Sequence, residues 1–367
     1  MPRTFRVGLI GATGRGDYGH AVDVAFTKVP NVRVVAVADA SEPGRKAAQA
    51  RTGAAAAYAD YRDMLAKEKP DVVGICPRWL DQHHAMLIAA AEAGCHVYME
   101  KPFCRTPAEC DAVVRALEMR HLKFGIAHIS QYSPVLDAVK KVIADGVIGD
   151  LLEIRGRGKE DARGGGEDLW VLGSHIFGLM RSLGGAAASC YATVTQGGQP
   201  VAKAHVREGA EGIGPLAGDH VQSSFTLPRG ATGYFASRKG MAGKPTRFAV
   251  QVFGSKGVIE LESGYLVRAD LLRDGSWSPG RSGSRWEQIT SAGIGVPEPR
   301  RDGTYEGGHV AAITDLLAAV ESGGETKCPA RDAAAIVEMI AAVFESHRLG
   351  RPVPLPLASR ANPLALL

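Results

Sequence analysis

Three stretches of the chain carry residues able to do chemistry: a glycine turn at 11–16, the tripeptide Glu100-Lys101-Pro102, and a glycine, acid and histidine stretch at 164–175. The turn reads Gly11-Ala12-Thr13-Gly14-Arg15-Gly16 and follows the apolar run 5–10. Read as G-x-G-x-x-G, it puts Thr13 at the second glycine, and Gly14 supplies backbone freedom one residue later. A turn of this kind between strand and helix brings main-chain N–H groups up to a pyrophosphate. Asp39 closes the next apolar run, VRVVAVA at 32–38. A carboxylate there accepts hydrogen bonds from ribose hydroxyls and repels a 2′-phosphate, so NAD is the expected cofactor over NADP, with Arg45 softening that preference. The plainer alternative is that Asp39 simply ends its strand in a turn.

Lys101 follows the short run 96–99, at what reads as the carboxyl end of a parallel strand, where doubly wound sheets bind ligands. Oxidation of a secondary alcohol needs a hydride acceptor, a base for the hydroxyl proton, and a cation or donor for the developing alkoxide. Lys101 suits the last two roles, and a nearby oxidised nicotinamide would lower its pKa. An exposed lysine at a strand end is the alternative. Pro77, Arg78, His83 and Glu100 sit at neighbouring carboxyl edges and are expected beside the cofactor, as are Gly11, Thr13, Gly14, Arg15, Gly16, Asp39 and Lys101 itself. His83 and His84 serve equally well as polar surface at a helix start.

The third stretch runs Gly164-Gly165-Gly166-Glu167-Asp168-Leu169-Trp170-Val171-Leu172-Gly173-Ser174-His175. Asp168 lies seven residues before His175, on the same face of a continuous helix. Glu167 suits sugar hydroxyls. Glu167, Asp168, Trp170 and His128 are the expected substrate contacts, with His175 as a second catalytic group. A histidine among Ile176, Phe177, Leu179 and Met180 is also an ordinary core residue.

Elements must hold these residues in place. Strand-like runs at 5–10, 32–38, 71–76, 96–99 and 124–127 alternate with helical patterns at 21–28, 42–51, 61–68, 83–93 and 107–120, with Ser41 and Thr106 as caps. That alternation implies a doubly wound parallel sheet over residues 1–127. From 151 the runs lengthen and alternate (152–157, 188–195, 220–226, 231–237, 248–253, 258–261 and 265–269), and helices are few before 309–322 and 332–349. An α+β domain on a large, mostly antiparallel sheet is expected over 128–367. The fold class is therefore α/β with an N-terminal Rossmann sheet. Scattered charges with a net of +4 argue against nucleic-acid or membrane-surface binding. No apolar stretch of about 18 residues occurs, so no transmembrane helix is expected, and the N-terminus lacks a signal-peptide pattern. Six dispersed cysteines fit buried thiols in a reducing cytoplasm, and no metal-ligand spacing is present among the 11 histidines.

The stretch Ala93-Gly94-Cys95-His96-Val97-Tyr98-Met99-Glu100-Lys101-Pro102 resembles the A-G-K-H-V-x-x-E-K-P segment of the glucose–fructose oxidoreductase, inositol dehydrogenase and MocA family. Pro77 with His83 is similar to its T-P-x-x-x-H segment, at longer spacing, and Gly350-Arg351-Pro352-Val353 is similar to its closing strand. The resemblance implies an NAD(P)-dependent oxidoreductase acting on CH–OH groups of sugars, cyclitols or their derivatives. It also implies homodimers or homotetramers joined through the second sheet. The family's D-x-G-x-H stretch has its histidine at His175, but Val171 stands at the acid's place. Some relatives use the cofactor only transiently, so a redox-neutral NAD-dependent glycosidase or eliminase is the alternative activity. A non-catalytic cofactor-binding sensor is a third.

Overall fold

Short runs rich in β-branched and small apolar residues form the sheet of the first unit: β1 Phe5–Ile10, β2 Val32–Ala38, β3 Ala56–Tyr58, β4 Val72–Ile75, β5 His96–Met99 and β6 Phe124–Ile126. Helices α1 Val22–Thr27, α2 Glu42–Thr52, α3 Tyr61–Glu68, α4 His83–Glu92 and α5 Pro107–Glu118 alternate with them. The computed structural model describes residues 3–367. Its six strands lie in the order β3-β2-β1-β4-β5-β6, every pair parallel. Three of these helices, α2, α3 and α5, start where a side chain satisfies an open N–H group. Ser41 accepts from Gly44 N (3.3 Å), Asp60 from Arg62 N (2.8 Å) and Thr106 from Glu109 N (3.1 Å), each worth about 1 kcal/mol. Phe5, Leu9, Ile10, Phe26, Met64, Ile75 and Tyr98 are fully buried. Each contributes roughly 1.5–3 kcal/mol of burial.

Strand order reverses between β1 and β4. The loops after β1, β4 and β5 open there, at the carboxyl edge where open α/β sheets take their ligands. This unit holds everything up to Tyr132, together with Ala210–Gly214 and Thr304–Val337. The helix Tyr305–Ser322 thus packs with the first sheet, whereas the sequence reading places 309–322 in the second domain. Tyr98 at β5 meets His309 Nδ1 through its hydroxyl (2.7 Å), and Lys28 pairs with Glu306. Helical periodicity reports a helix but not which sheet buries it.

The second unit holds Ser133–Gly209, Pro215–Gly303 and Glu338–Leu367. It opens with α6 Pro134–Ala144, capped by Ser133 and burying Val135, Leu136, Val139 and Val142. Then follow β7 Leu151–Arg157, α7 Gly166–Val171 and α8 Gly173–Gly184. Its large sheet runs Gly293–Ile294, Trp286–Thr290, Ala269–Leu272, Gly257–Glu262, Ala249–Gly254, β7, Thr232–Arg238, His220–Thr226, Ser189–Gln196 and Val353–Pro354. All these neighbours pair antiparallel except β7 with Thr232–Arg238. The run expected at 265–269 forms its strand later, at Ala269–Leu272, and the strand Trp286–Thr290 is an addition to the sequence reading. Among the described residues no helix is long and apolar enough to cross a membrane.

Helix α8 lies on one face of this sheet. Gly156 of β7 makes the close approach possible, since a Cβ there would lie 2.2 Å from Ile176 Cγ2. We predict that Gly156→Ala lowers stability by about 1–3 kcal/mol through overpacking. The double variant with Ile176→Ala should lose less than the sum of the two single changes. Urea denaturation checks this; strict additivity would contradict the packing account.

Candidate active site

The loop after β1 closes on itself before α1 begins. Ala12 N donates to Asp17 O and Asp17 N to Ala12 O (both 3.0 Å), while Gly14 N donates to Asp17 Oδ1 (2.8 Å). Gly14 has a φ of +81° and open space where a Cβ would stand, so a ligand can come close to the main chain there. Gly16 has a different role: a Cβ would lie 2.5 Å from Arg78 N, so this glycine packs two loops together. The ring of Tyr18 lies against Gly11, and burial followed by the neighbouring Asp39 carboxylate pushes its phenol up.

A cavity of about 280 Å³ opens at the carboxyl ends of β1 and β2, lined among others by Gly11, Thr13, Arg15, Asp39, Ser41 and Arg62. Asp39 is 2% exposed. Its carboxylate accepts from Thr13 N (3.1 Å), Thr13 Oγ1 (2.7 Å) and Ser41 N (2.9 Å). Arg45 donates to the Asp39 carbonyl, and Arg15 pairs with Asp81 while lying 4.7 Å over the Trp79 ring. A carboxylate and cations lining the cavity, with an open glycine in the adjoining turn, fit the adenosine and phosphate half of a dinucleotide. The sequence reading missed Arg62 as a lining residue; it sits at the start of α3 and no motif marks it.

Glu100, Lys101 and His128 come together beyond β5. Glu100 is fully buried. It accepts from His20 N (3.0 Å) and Lys101 N (2.9 Å) and faces His20 Nδ1 (2.7 Å). Burial works to raise its pKa, but the His20 hydrogen bond and the charges of His309 and Lys101 outweigh it and hold Glu100 at about 2. It is an anchor between two loops. The Lys101–Pro102 bond is cis, and Lys101 is 7% exposed. His128 is 2% exposed and pushed down to about 3, by burial first and then by Lys101, with Glu100 opposing.

His83 ties to the peptide that follows Lys101. It is fully buried, with one ring nitrogen facing the carbonyls of Pro102 (2.8 Å) and Phe103 (3.2 Å) and the other facing that of Pro77 (2.8 Å). Neither nitrogen is left for a ribose. His83 staples the loop after β4 to the peptide following Lys101, and Pro77 serves through its carbonyl. Burial pushes the imidazole down against these three carbonyls, which favour its charged form.

In the second unit the helix breaks at Leu172, where φ is −120° and ψ is −35°. Asp168 and His175 therefore sit on separate helices, and the shared face expected from their spacing does not form. Asp168 is fully buried. Its Oδ2 accepts from Ser237 Oγ (2.5 Å) and Glu160 N (3.0 Å), and Gly158 leaves room for it. Burial raises the Asp168 pKa against those hydrogen bonds. Oδ2 is thus tied within the fold, while Oδ1 is buried without a hydrogen-bond partner among the described residues. Trp170 is 2% exposed, and its Nε1 is buried without a hydrogen-bond partner among the described residues. Glu167 and His175 are half-buried, and the His175 ring meets Phe248 edge-on at 6.3 Å. Glu160 is another residue the sequence reading missed: it is fully buried and pairs with Arg157 (2.5 Å) and Arg247 (2.9 Å).

Residues 5–128 match the model of an oxidoreductase family with an NAD-binding Rossmann fold, and residues 140–355 match that family's C-terminal alpha/beta domain. A levoglucosan dehydrogenase of Pseudarthrobacter phenanthrenivorans is 27% identical over 70% of this chain and 73% of its own length. A D-apiose dehydrogenase of Paraburkholderia graminis is 24% identical over 90% and 85%. Among solved structures, levoglucosan dehydrogenase in complex with NADH and levoglucosan superposes with a TM-score of 0.78 at 21% identity, covering 96% of this chain and 100% of that one.

The shifts of two buried groups predict a fold that loses stability in acid. His128 ordinarily titrates near 6.5 and is held at about 3, so below 6.5 the unfolded chain binds a proton that the folded chain refuses. Its contribution is complete above 6.5 and is lost as pH falls toward 3. Glu100 acts in the same direction, complete above 4.5 and lost toward 2. We expect the urea midpoint to drop steadily below pH 6.5, and His128→Asn to flatten the upper part of that drop. An unchanged slope in the variant would contradict this.

Proposed function

Because the chain belongs to the glucose–fructose oxidoreductase, inositol dehydrogenase and MocA oxidoreductase family, we propose that it transfers hydride between NAD and a hydroxyl-bearing carbon of a sugar, cyclitol or related polyol. The observation that carries this reading is Lys101, nearly buried beyond β5 at the carboxyl edge of a sheet whose glycine-turn cavity fits the cofactor. The curated relatives' names, levoglucosan and D-apiose dehydrogenase, support the substrate class. When bound, NAD supplies the hydride acceptor. Lys101 takes the hydroxyl proton during oxidation, returns it during reduction, and stabilises negative charge on the substrate oxygen. Its main chain is fixed by the Glu100 carboxylate and by the His83 staple on the next peptide. We assign the helper role to His175 and a hydroxyl-binding role to Glu167. Asp39 sets the preference for NAD over NADP.

We further propose a homodimer or homotetramer formed through the large sheet. Its polar face carries a concavity of about 1080 Å³, lined by Arg155, Arg157 and Arg268 together with Glu260, Glu262 and Asp270. Opposite charges on one face suit a self-complementary contact. The six cysteines are all buried and none is in a disulfide, which supports residence in the reducing cytoplasm.

Lys101→Met should reduce NADH production from a responsive sugar by about 10³-fold, measured across a panel of anhydrosugars, inositols and glycosides. NAD affinity by calorimetry should change little. Turnover in the variant within a few-fold of the parent would remove Lys101 from the chemistry. Consumption of the sugar without net NADH would favour the redox-neutral alternative.

A further inference from the structure

Thr13 occupies the place where the G-x-G-x-x-G pattern carries a glycine so that the backbone can approach the pyrophosphate. Its side chain is turned onto Asp39: the hydroxyl donates to Oδ2 at 2.7 Å and the main-chain N–H reaches the same oxygen at 3.1 Å. The geometry points to Thr13 as a positioning residue that sets dinucleotide selectivity by locking the Asp39 carboxylate, with Gly44 as the vacancy that admits it. This rests on the reading that the glycine-turn cavity takes the adenosine half of NAD.

Gly44 supplies the independent observation. It lies in the first turn of α2, where glycine costs about 1 kcal/mol relative to alanine. A Cβ at residue 44 would sit 1.8 Å from Thr13 Oγ1, 2.7 Å from Thr13 Cβ and 3.1 Å from Asp39 Oδ2. Any side chain there drives Thr13 off the carboxylate. Residues 13 and 44 are therefore a matched pair: the side chain missing from one helix turn is the space filled by the other.

The lock has a chemical consequence. A carboxylate offers about four acceptor sites. Thr13 and Ser41 hold it from two sides and leave it capacity to accept a ribose hydroxyl at the cavity wall. A 2′-phosphate would meet that same fixed negative charge. Arg15 and Arg62 line the cavity too, so an Asp39 side chain free to swing aside would leave cations to receive the phosphate. Selectivity then comes from immobilising the repulsive group as much as from its presence.

The test is calorimetric binding of NAD and of NADP to the full chain and its variants. Thr13→Val keeps the branched shape and the N–H but deletes the hydroxyl. It should narrow the NAD:NADP affinity ratio by about tenfold, the effect of losing one hydrogen bond to a charged group. Thr13→Ser should keep the parent ratio. Gly44→Ala should narrow the ratio as Thr13→Val does. The double variant Thr13→Gly with Gly44→Ala, free of the clash, should regain the parent's thermal midpoint but not its selectivity. Unchanged ratios in both Thr13→Val and Gly44→Ala would overturn the inference. Asp39→Ala separates the two levels of the account. If Asp39→Ala loses selectivity while Thr13→Val keeps it, only the lock fails. If the parent binds neither dinucleotide, the underlying reading of the cavity fails.

Discussion

A single buried carboxylate holds the first unit's carboxyl edge together. Glu100 reaches back to His20 in the loop after β1 and forward to the main chain of Lys101, so one anion joins two loops that start from different strands. A buried charge is costly unless it is paired and hydrogen-bonded, and removing a partner exposes that cost in full. The His20 ring and two backbone N–H groups meet the requirement. His83 adds a second tie, from the loop after β4 to the peptide that follows Lys101. The lysine is thereby carried on backbone restrained on both sides, which is what a proton-transferring group needs to keep its geometry between turnovers.

This arrangement explains why several residues that look like ligands are part of the frame instead. Glu100, His83 and Asp168 each have the chemistry to touch a cofactor or sugar. Each is fully buried: Glu100 and His83 spend their polar atoms on other parts of the chain, and Asp168 commits Oδ2 while its Oδ1 has no hydrogen-bond partner among the described residues. Active sites of this kind divide polar residues into those that meet the ligand and those that hold the first group still. Asp39 does both: it lines the cavity and is itself held by Thr13 and Ser41.

Five strands of the parallel sheet were readable from sequence because they are largely buried apolar runs, with Ser41 and Thr106 marking helix starts between them; the short, partly exposed β3 Ala56–Tyr58 lacks that mark and was not read. The glycine turn and Asp39 were readable for the same reason: backbone freedom and a strand-ending acid leave local marks. What stayed illegible depends on distant packing. Nothing local to 309–322 shows that His309 meets Tyr98. Nothing in the spacing of Asp168 and His175 announces the break at Leu172, because spacing places two residues on one face only if the helix runs unbroken between them. Arg62 and Gly44 carry no motif; their significance appears only when α2 and α3 are laid beside the turn.

The central claim is that the amine of Lys101 moves the substrate's hydroxyl proton. Its most direct test is chemical rescue of Lys101→Ala with small amines in the presence of NAD and a responsive sugar. The account predicts that NADH formation returns in proportion to added primary amine and follows the amine's basicity, with no response to a quaternary ammonium ion of similar size. Equal rescue by the quaternary ion, or none by any amine in a variant that still binds NAD and sugar, would contradict it.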